Sequence, residues 1–589
     1  MGLPRAVQAH KQGDLPTAEQ HYKRALEQGV RTAVLFQNYG ALLRSLEKFD
    51  QASAMYAEGR RLHPEHIGLI TNNANLVQEK QPASALSMLL HALRLKLREA
   101  PDQELQKLMI SIVALLRQLG QLQWALSMTR LALQTFGPTA ALVMHCLLLQ
   151  DQLEERSTIQ SEEDVSETLR RQLESHLQDS PPLERGEMQT VLATHYLSKR
   201  RLSRAESLFE EGIKTLSTLP SSAVDDEKKV QKLIDTNSWN YSITLLKQQQ
   251  LQRGWTLFEH GLRTPAPGQQ RWQRALSKPF SAARLPLWRG EALQGKRLLL
   301  LEEQAVGDAM MFATLVPTLL EEAAEIGLVF CDRLLPIYQR SFSAWIEAGR
   351  VKVWGYKDAR DGSLDPAHYD LQSPIGSICR HRFSGIETYG QHLPLLKTAS
   401  RTVADLRHDY LSQGRSAQRL IGISWRGGGK GDRIRQKSID PDAFRSVIQD
   451  CPGVRFVSLQ YGKAAPAVEE WLQQGVDMVL DPRVDPLKNM DVWLAQVAAC
   501  DAVLSVANTT IHGAGGLNLP TLCLLSRYCD WRWFKDPSVT RSYWYPSVGI
   551  ARESEQTGWD DAFAEARRWI LNGCPMPTGP LHTGEQRQP

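Results

Sequence analysis

The stretch SVANTTIHGAGG, residues 505–516, separates two apolar runs of the chain. The run CDAVLSV (500–506) precedes it and LNLPTLCLL (517–525) follows it, and each predicts a buried strand. Asn508 is suited to cap a helix that begins at Thr509, because its side chain can accept from the free N–H groups of a first turn. Three glycines at 513, 515 and 516 permit close approach of a ligand or a neighbouring sheet. The stretch therefore predicts a strand–helix–strand unit.

The same alternation continues through the second half of the chain. Further strands are predicted at 296–301, 327–331, 351–355, 419–425, 455–460 and 476–481. Helices are predicted between them at 309–325, 332–342, 441–449, 467–474 and 490–499. Strands joined through helices of about ten residues imply parallel sheets. The two sets, 296–400 and 419–575, predict two doubly wound domains with a ligand site outside the carboxyl ends of the strands.

The first half of the chain is helical and repetitive. KQGDLPTAEQHYKRAL (11–26) and SLEKFDQASAMYAEGR (45–60) align with an offset of 34 residues, which superposes Ala18 on Ala52 and Tyr22 on Tyr56. Further copies lie at 118–133 and 198–213, with a weaker one at 247–262. Such a period predicts stacked helix pairs, and a plain antiparallel bundle is the alternative. A stack forms a groove for an extended peptide, so we expect a protein or peptide partner.

Composition narrows the class of protein. The 589 residues carry a net charge of +4, which gives no support to a nucleic-acid partner. The eight cysteines form no Cys-x-x-Cys pair, which predicts reduced, buried thiols in a cytoplasmic protein. We expect no secretory signal in MGLPRAVQAHKQGD and no membrane span. The charged segment 151–171 predicts a solvated helix or a long loop.

Three loops carry candidate chemistry. WRGGGKGDRIRQKSID (425–440) lacks the Walker A spacing but predicts an anion clamp through Arg426, Lys430, Arg433, Arg435 and Lys437. In EEQAVGDAMMF (302–312), Gly307 permits a turn, and Asp308 is either a helix cap or a general base. The helix that begins at Thr509 favours an anion such as a diphosphate at its N-terminus. His512 can donate to a phosphate or sugar oxygen.

These loops resemble, in order, those of bacterial glycosyltransferases with appended tetratricopeptide repeats. The resemblance rests on the motifs PLWRGEALQGKRLLLLEEQAVGDAMMFATLVPTL, IGISWRGG, RFVSLQ, SVANTTIHGAGGLNLPT and DWRWFKDPSVTRSYWYPSV, and it covers about residues 285–572. Those enzymes are similar to lipopolysaccharide heptosyltransferases and, more remotely, to protein O-GlcNAc transferase. The resemblance implies a GT-B fold of two Rossmann-like domains behind a helical repeat domain.

The domain boundaries that follow are 1–265 for the tetratricopeptide-like repeats, 266–410 for the acceptor-side domain, 411–575 for the donor-side domain and 576–589 for a flexible tail. The resemblance implies inverting transfer from a nucleotide sugar, with neither a metal ion nor a cofactor. Asp308 matches the base, and Lys437, with Arg426, matches the position that neutralises the departing diphosphate. His512, at the start of the donor-diphosphate helix, is implied to be catalytic together with Asp308 and Lys437. The implied donor contacts are Arg426, Gln460, Asn508, Thr509, Thr510 and Gly513. Gln304 and Gly307 belong to the acceptor-side loop.

Two departures and several alternatives remain open. Ala305 replaces a glycine of the resembling loop, and Ala507 stands where aspartate is frequent, so the identity of the donor is open. The Asp-x-Asp at 440–442 is the candidate for metal-dependent transfer, but Pro441 favours a helix cap there. A non-catalytic scaffold, a lipopolysaccharide sugar transferase and a sugar-nucleotide epimerase are the rival functions. The repeats favour a polypeptide acceptor, of which flagellin is the implied case.

Overall fold

A computed structural model describes residues 2–46, 48–78, 80–137, 139–154, 174, 177, 180–219, 224–264, 274, 280–389, 394–413, 417–428, 434, 437–462, 464–534 and 539–578. The chain divides into two compact units, Met1–Val230 and Gln231–Pro589. Most of the charged segment 151–171 and of the predicted tail 576–589 lies outside the described residues. The eight cysteines, all within the described residues, form no disulfide with one another. None of the helices in the described ranges combines the length and apolar composition that crossing a bilayer requires.

The first unit is a succession of antiparallel helices. They are α1 Gly2–Lys11, α2 Leu15–Glu27, α3 Ala33–Ser45, α4 Phe49–Leu62, α5 Ile67–Val77, α6 Pro82–Lys96, α7 Gln103–Gln118, α8 Leu122–Phe136, α9 Ala140–Glu154, α10 Pro182–Ser198 and α11 Leu202–Ser217. From α1 to α9 each helix packs on the next, and α3 also contacts both α1 and α5. Helices α2, α4 and α6 begin at residues 15, 49 and 82, so the pair recurs every 33 or 34 residues.

A small–large–small triplet at positions i, i+4 and i+7 lies buried on the second helix of four pairs. The triplets are Ala18/Tyr22/Ala25, Ala52/Tyr56/Gly59, Ala85/Leu89/Ala92 and Ala205/Phe209/Gly212, and α8 has the same small residues, Ala125 and Ala132, around the smaller Thr129. The small residues let neighbouring helices approach, and the large one fills the space between them. The sequence comparison did not identify the α6 copy, which lies 33 rather than 34 residues after the preceding one. The unit is therefore built from tetratricopeptide-like helix pairs.

The triplet makes a prediction for stability. Ala85→Leu places a branched side chain at a fully buried site, so we expect it to lower the free energy of unfolding by about 1–3 kcal/mol through overpacking. Ala83→Leu on the same helix is the matched control, since Ala83 is exposed, and its expected effect is within about 0.5 kcal/mol. Urea unfolding of the full chain followed by far-UV circular dichroism measures both. Equal effects of the two substitutions would contradict the packing role of the triplet.

The second unit combines helices with parallel sheets. Its helices are α12 Val224–Lys247, which begins before the boundary, α13 Leu251–Phe258, α14 Val306–Ala313, α15 Val316–Leu319, α16 Leu335–Ser341, α17 Ser343–Glu347, α18 Tyr356–Asp361, α19 Ile378–Arg382, α20 Ser400–Ser412, α21 Pro441–Ile448, α22 Ala465–Gln473, α23 Met490–Ala498, α24 Thr509–Gly516 and α25 Asp560–Leu571. Its strands are β1 Arg297–Leu301, β2 Glu325–Phe330, β3 Val351–Gly355, β4 Leu371–Pro374, β5 Arg419–Ser424, β6 Val454–Ser458, β7 Met478–Val479, β8 Ala502–Val506, β9 Thr521–Leu525 and β10 Val548–Arg552.

The strands form two sheets, and within each sheet the neighbouring strands pair in parallel, as predicted. The first has the order β3-β2-β1-β4 and the second the order β10-β9-β8-β5-β6-β7. Numbered from β5, the second sheet reads 3-2-1-4-5-6, the order of a doubly wound fold. Consecutive residues of β5, Leu420 and Ile421, enter different hydrophobic cores, so both faces of this sheet are covered. The order of the strands reverses between β5 and β8, where such folds bind their ligands.

Local details differ from the sequence-based predictions. The single helix predicted at 309–325 is broken into α14 and α15, because Pro317 has no N–H with which to continue the first helix. The strand predicted at 517–525 begins only at Thr521, after a turn in which Asn518 adopts a φ of 60°. Strand β4 was not predicted, since its buried residues include the polar Gln372 and Ser373. Strand β10 was also missed.

Helix α13 belongs to the second unit, although its sequence is the weak repeat copy at 247–262. Phe258 is fully buried between Gly254 and Gly261 in the small–large–small spacing. Trp255 and Phe258 pack edge-on against Trp531, with ring centroids 5.4 and 5.2 Å away. The helix thus supports the loop that follows β9.

Candidate functional site

Polar side chains meet where β5, β6 and β8 end. The Ser424 hydroxyl donates to Oε1 of Gln460 at 2.9 Å, and Nδ2 of Asn508 donates to Ser424 Oγ at 2.7 Å. Gln460 Oε1 also accepts the backbone N–H of Arg426 at 2.9 Å. These bonds cross the point where the strand order reverses. They bring together the predicted residues Gln460 and Asn508, and they fix the start of the loop that follows β5.

Helix α24 begins at this same point. Oδ1 of Asn508 accepts the N–H of Thr510 at 2.9 Å, which confirms the predicted cap. Thr510 is buried and Thr509 is half-buried. The positive end of the helix dipole therefore lies at the carboxyl edge of the sheet, where it favours an anion.

The glycines of α24 lie against other side chains of the protein. A methyl group at Gly513 would lie 2.8 Å from the Trp493 ring, and one at Gly515 would lie 2.4 Å from Tyr545. Gly516 is similarly close to Leu396. Close packing within the protein therefore accounts for these glycines, and the donor contact of Gly513 stays a prediction.

The loop after β1 contacts α24 directly. A methyl group at Gly307 would lie 2.9 Å from Cδ2 of His512, so the first turn of α14 packs on α24. Asp308 is the third residue of α14 rather than its cap, and its Oδ2 accepts the N–H of Ala305 at 3.3 Å. Gln304 adopts a φ of 62°, in the left-handed region that residues other than glycine rarely occupy. Contact between α14 and α24 thus joins the predicted acceptor loop to the predicted donor helix.

Arg532 connects this loop to the segment that follows β9. Its Nε donates to Oδ1 of Asp308 at 2.5 Å, and its Nη2 donates to Oε1 of Gln304 at 3.0 Å. Its Nη1 donates to Oδ2 of Asp530 at 3.1 Å, and the same oxygen accepts Nζ of Lys437 at 2.8 Å. The side chains form an alternating row of charges, Asp308–Arg532–Asp530–Lys437. We call it the charge row.

Within the charge row, neighbouring side chains of opposite charge stabilise the ionised forms of Asp530 and Arg532. Burial acts to raise the pKa of Asp530, but the charges of Lys437 and Arg532 outweigh it and hold that pKa well below its usual range. Burial acts to lower the pKa of Arg532, but Asp308 and Asp530 raise it. The row holds two cations and two anions. Any further anion therefore has to compete with Asp530 for Lys437.

Lys437 is held near the start of its loop. A methyl group at Gly427 would lie 2.5 Å from Cβ of Lys437, and the N–H of Gly427 donates to Oγ of Ser438 at 3.0 Å. The Arg426 side chain is exposed. The other predicted cations of this loop, Lys430, Arg433 and Arg435, lie outside the described residues. Asp440 caps α21 by accepting the N–H of Asp442, as the sequence predicted.

His512 is an uncharged hydrogen-bonding group in this setting. It is 8% exposed, and its Nδ1 lies 3.1 Å from the Tyr545 hydroxyl. Burial lowers the pKa of His512 to about 4 and raises that of Tyr545 well above 10. Tyr545 keeps its proton, and in the tautomer in which its hydroxyl donates to Nδ1 the ring proton of His512 is on Nε2. His512 can then donate one hydrogen bond, as predicted for a phosphate or sugar oxygen, without carrying charge.

The pKa of His512 makes stability depend on pH. The unfolded chain takes up this proton near pH 6.5, whereas the folded protein does so only near pH 4. The contribution is complete above pH 6.5 and is lost as the pH falls towards 4, by about 2 kcal/mol between pH 7 and 5. We expect His512→Gln to remove that part of the acid sensitivity. Urea midpoints of both proteins at pH 7 and 5 test this, and parallel losses would contradict it.

Several residues of the site were not identified from the sequence. Ser424, Asp530, Arg532 and Tyr545 lie within the motifs quoted above, but no role was given to any of them. Their partners are distant in sequence: Arg532 and Asp308 are separated by 224 positions. The available signal was the Asp-x-Arg spacing at 530–532, in which two opposite charges alternate with large apolar tryptophans.

Comparison with known proteins gives partial matches. No protein-family model matches the chain. It is 27% identical over 295 residues to Protein FlbA of Caulobacter vibrioides, which covers 46% of this chain and 46% of that protein. The chain thus spans about half the length of the curated relative it matches.

Solved structures give partial similarities, two of them to proteins described as tetratricopeptide repeat or TPR proteins. A tetratricopeptide repeat protein from Parabacteroides merdae is 17% identical, over 45% of this chain and 93% of its own, with a TM-score of 0.35. YrrB, described as a TPR protein with an unusual peptide-binding site, is 16% identical over 35% of this chain and 97% of its own, with a TM-score of 0.24. PilF of Pseudomonas aeruginosa is 22% identical over 30% of this chain and 74% of its own, also with a TM-score of 0.24. The assignment of helical repeats rests on the spacing and burial of the triplets in this chain.

Proposed function

We propose that the protein is an inverting, metal-independent glycosyltransferase of GT-B architecture, which moves a sugar from a nucleotide sugar to a hydroxyl group of a protein. The observation that carries the proposal is the contact between α14 and α24. Asp308, on the helix after β1, lies next to the contact of Gly307 with α24, and Arg532 and Asp530 connect it to Lys437 in the loop after β5. A base and an anion site within one cluster are what transfer from a sugar diphosphate requires.

The donor would bind along the second sheet. Its diphosphate would lie at the N-terminus of α24, near Lys437, with Arg426 exposed at the adjoining loop. The hydrogen bond available from Nε2 of His512 would add a neutral donor there. The nucleoside would lie close to Gln460, at the carboxyl end of the sheet. Helix dipole and cationic side chains can meet the charge of a leaving diphosphate in place of a metal ion.

The reaction would then be a single displacement. The acceptor oxygen attacks the anomeric carbon as the bond between that carbon and the diphosphate oxygen breaks. The electron pair of the broken bond leaves with the diphosphate, whose charge Lys437 offsets. Asp308 takes the proton of the acceptor hydroxyl as the new bond forms, because an alcohol loses its proton only at that stage.

A polypeptide acceptor is the proposal that the helical repeats support. Stacked helix pairs bind extended peptides in their groove, and the first unit carries four buried triplets of this kind. The resemblance adds serine and threonine hydroxyls of a surface-appendage protein such as flagellin, modified in the cytoplasm, as the case to test.

The donor is tested with a panel of UDP-, GDP-, ADP-, CDP- and CMP-sugars. Binding is measured by calorimetry, and product is followed by release of the nucleotide in excess chelator. Binding of one donor and its turnover in chelator support the proposal. Absence of all binding would favour a scaffold, conversion of the donor to an epimer would favour an epimerase, and activity restored only by magnesium or manganese would overturn the metal-independent chemistry.

The acceptor is tested by removing the first unit. The truncation should begin at Val224, because a cut at residue 265 would remove Trp255 and Phe258 from the Trp531 ring. We expect loss of transfer to protein, with donor binding retained. Donor binding by the truncated chain is the control for folding. Undiminished transfer to protein would contradict recruitment by the repeats, and transfer to a lipopolysaccharide sugar instead would support the rival function.

A further inference from the structure

Both carboxylate oxygens of the proposed base, Asp308, accept hydrogen bonds in the structure. Asp308 accepts from Arg532 at one carboxylate oxygen and from the Ala305 N–H at the other. Transfer of the acceptor proton would neutralise Asp308 and leave the Arg532 guanidinium without its nearest carboxylate, 2.5 Å away, while Asp530 lies at 3.1 Å. The Asp308 side chain is only 8% exposed, so little water is present to compensate. Transfer therefore requires Arg532 to move or to weaken its hold.

The arrangement of the charge row explains how binding of a diphosphate would weaken the contact between Arg532 and Asp308. Oδ2 of Asp530 is shared between Lys437 and Arg532, at 2.8 and 3.1 Å. A diphosphate that takes Lys437 leaves Asp530 with Arg532 as its cationic partner among the described residues. Asp530 then attracts the guanidinium more strongly, at the expense of Asp308.

The local structure allows this exchange with little movement. Asp530 caps the short turn Trp531–Trp533 and accepts the backbone N–H of Arg532, so the two residues already belong to one turn. The guanidinium lies over the Trp531 ring at 4.5 Å, a flat surface on which it can shift without losing contact. Asp308, in contrast, lies on α14, the helix that follows β1 of the first sheet.

We propose that Arg532 couples the two halves of the site: it restrains Asp308 until a diphosphate engages Lys437, and then transfers its pairing to Asp530. This inference rests on the proposed function. It makes the donor a condition for the base to act, so that the acceptor hydroxyl is activated only when the sugar is in place. Arg532 is thus a positioning residue that acts through Asp308.

Linkage gives a test that needs no acceptor. If diphosphate binding weakens the contact between Arg532 and Asp308, then weakening that contact must strengthen diphosphate binding by the same factor. Asp308→Asn keeps the shape but removes the charge. We expect it to tighten binding of a nucleoside diphosphate by roughly fivefold or more, although it removes the base.

The probe is whichever of UDP, GDP, ADP and CDP binds the full-length protein most tightly in calorimetry. Asp358→Asn is the matched control, since Asp358 accepts the N–H of Gly355 at the start of α18 in the same way but forms no ion pair with an arginine of the described residues. It should leave the dissociation constant unchanged. Arg532→Lys keeps the positive charge but loses the guanidinium, which donates to Asp308, Asp530 and Gln304 at once. In this background, Asp308→Asn should no longer tighten binding of the nucleoside diphosphate.

The outcomes separate the inference from the proposed function. Tighter binding in Asp308→Asn alone, abolished in the Arg532→Lys background, supports the coupling. Unchanged or weaker binding in Asp308→Asn, with the wild-type protein binding normally, overturns the coupling and leaves the glycosyltransferase proposal standing. Failure of the wild-type protein to bind any of the four nucleotides overturns the coupling, and failure to bind any nucleotide sugar of the donor panel as well overturns the proposed function.

Discussion

Asp308→Asn is expected to lower the rate of sugar transfer by roughly 10²- to 10⁴-fold, the range typical for removal of a general base. Asparagine keeps the shape of the side chain and one acceptor oxygen, which can accept from either Arg532 or the Ala305 N–H, the two groups that contact this carboxylate. The fold and the donor site should therefore persist, and the loss should appear in kcat. The measurement is the initial rate of transfer at saturating donor, with donor binding followed in parallel.

Asp358→Asn again serves as the control, because it removes a carboxylate with the same backbone contact at the start of a helix. It should transfer at the wild-type rate. Near-full activity of Asp308→Asn would show that Asp308 only secures the start of α14. Loss of donor binding in this variant would instead place Asp308 in the architecture of the donor site.

Lys437→Met is expected to lower transfer by roughly 10²- to 10³-fold, as for loss of one contact to developing charge. The methylene stem is kept, and Asp530 retains its ion pair with Arg532 at 3.1 Å, so the protein should fold. Because the charge on the diphosphate grows as the bond breaks, kcat should fall by more than donor affinity. Single-turnover rates and calorimetry separate the two effects.

Lys488→Met is the matched control, since Lys488 is 85% exposed and pairs only loosely with Asp485, at 3.8 Å. It should leave both quantities unchanged. Transfer by Lys437→Met within a few-fold of the wild-type rate would mean that another group meets the charge of the leaving diphosphate. An equal loss in both variants would point to the net charge of the protein rather than to this lysine.

The sequence predicted those features that depend on neighbours along the chain. Asn508 and Asp440 cap the helices that follow them, as expected of side chains that bond within two residues. The repeats were visible because a buried triplet needs small and large residues at fixed spacing. The parallel sheets were visible because strands and helices alternate. The copy in α6 was missed because its offset is 33 rather than 34 residues. Strand β4 was missed because its buried residues include the polar Gln372 and Ser373, and strand β10 was missed as well.

Only the tertiary structure decided how these pieces meet. The sequence left Asp308 as either a cap or a base, and it could not show that Arg532, 224 positions away, holds it. Nor could it place Ser424 against Asn508 across 84 positions, or assign α13 to the second unit. Spacing along the chain specifies helices, strands and their caps because these features depend on residues that are close together in the sequence. Which distant charges pair is settled by the packing of α14 on α24, and that packing fixes the charge row.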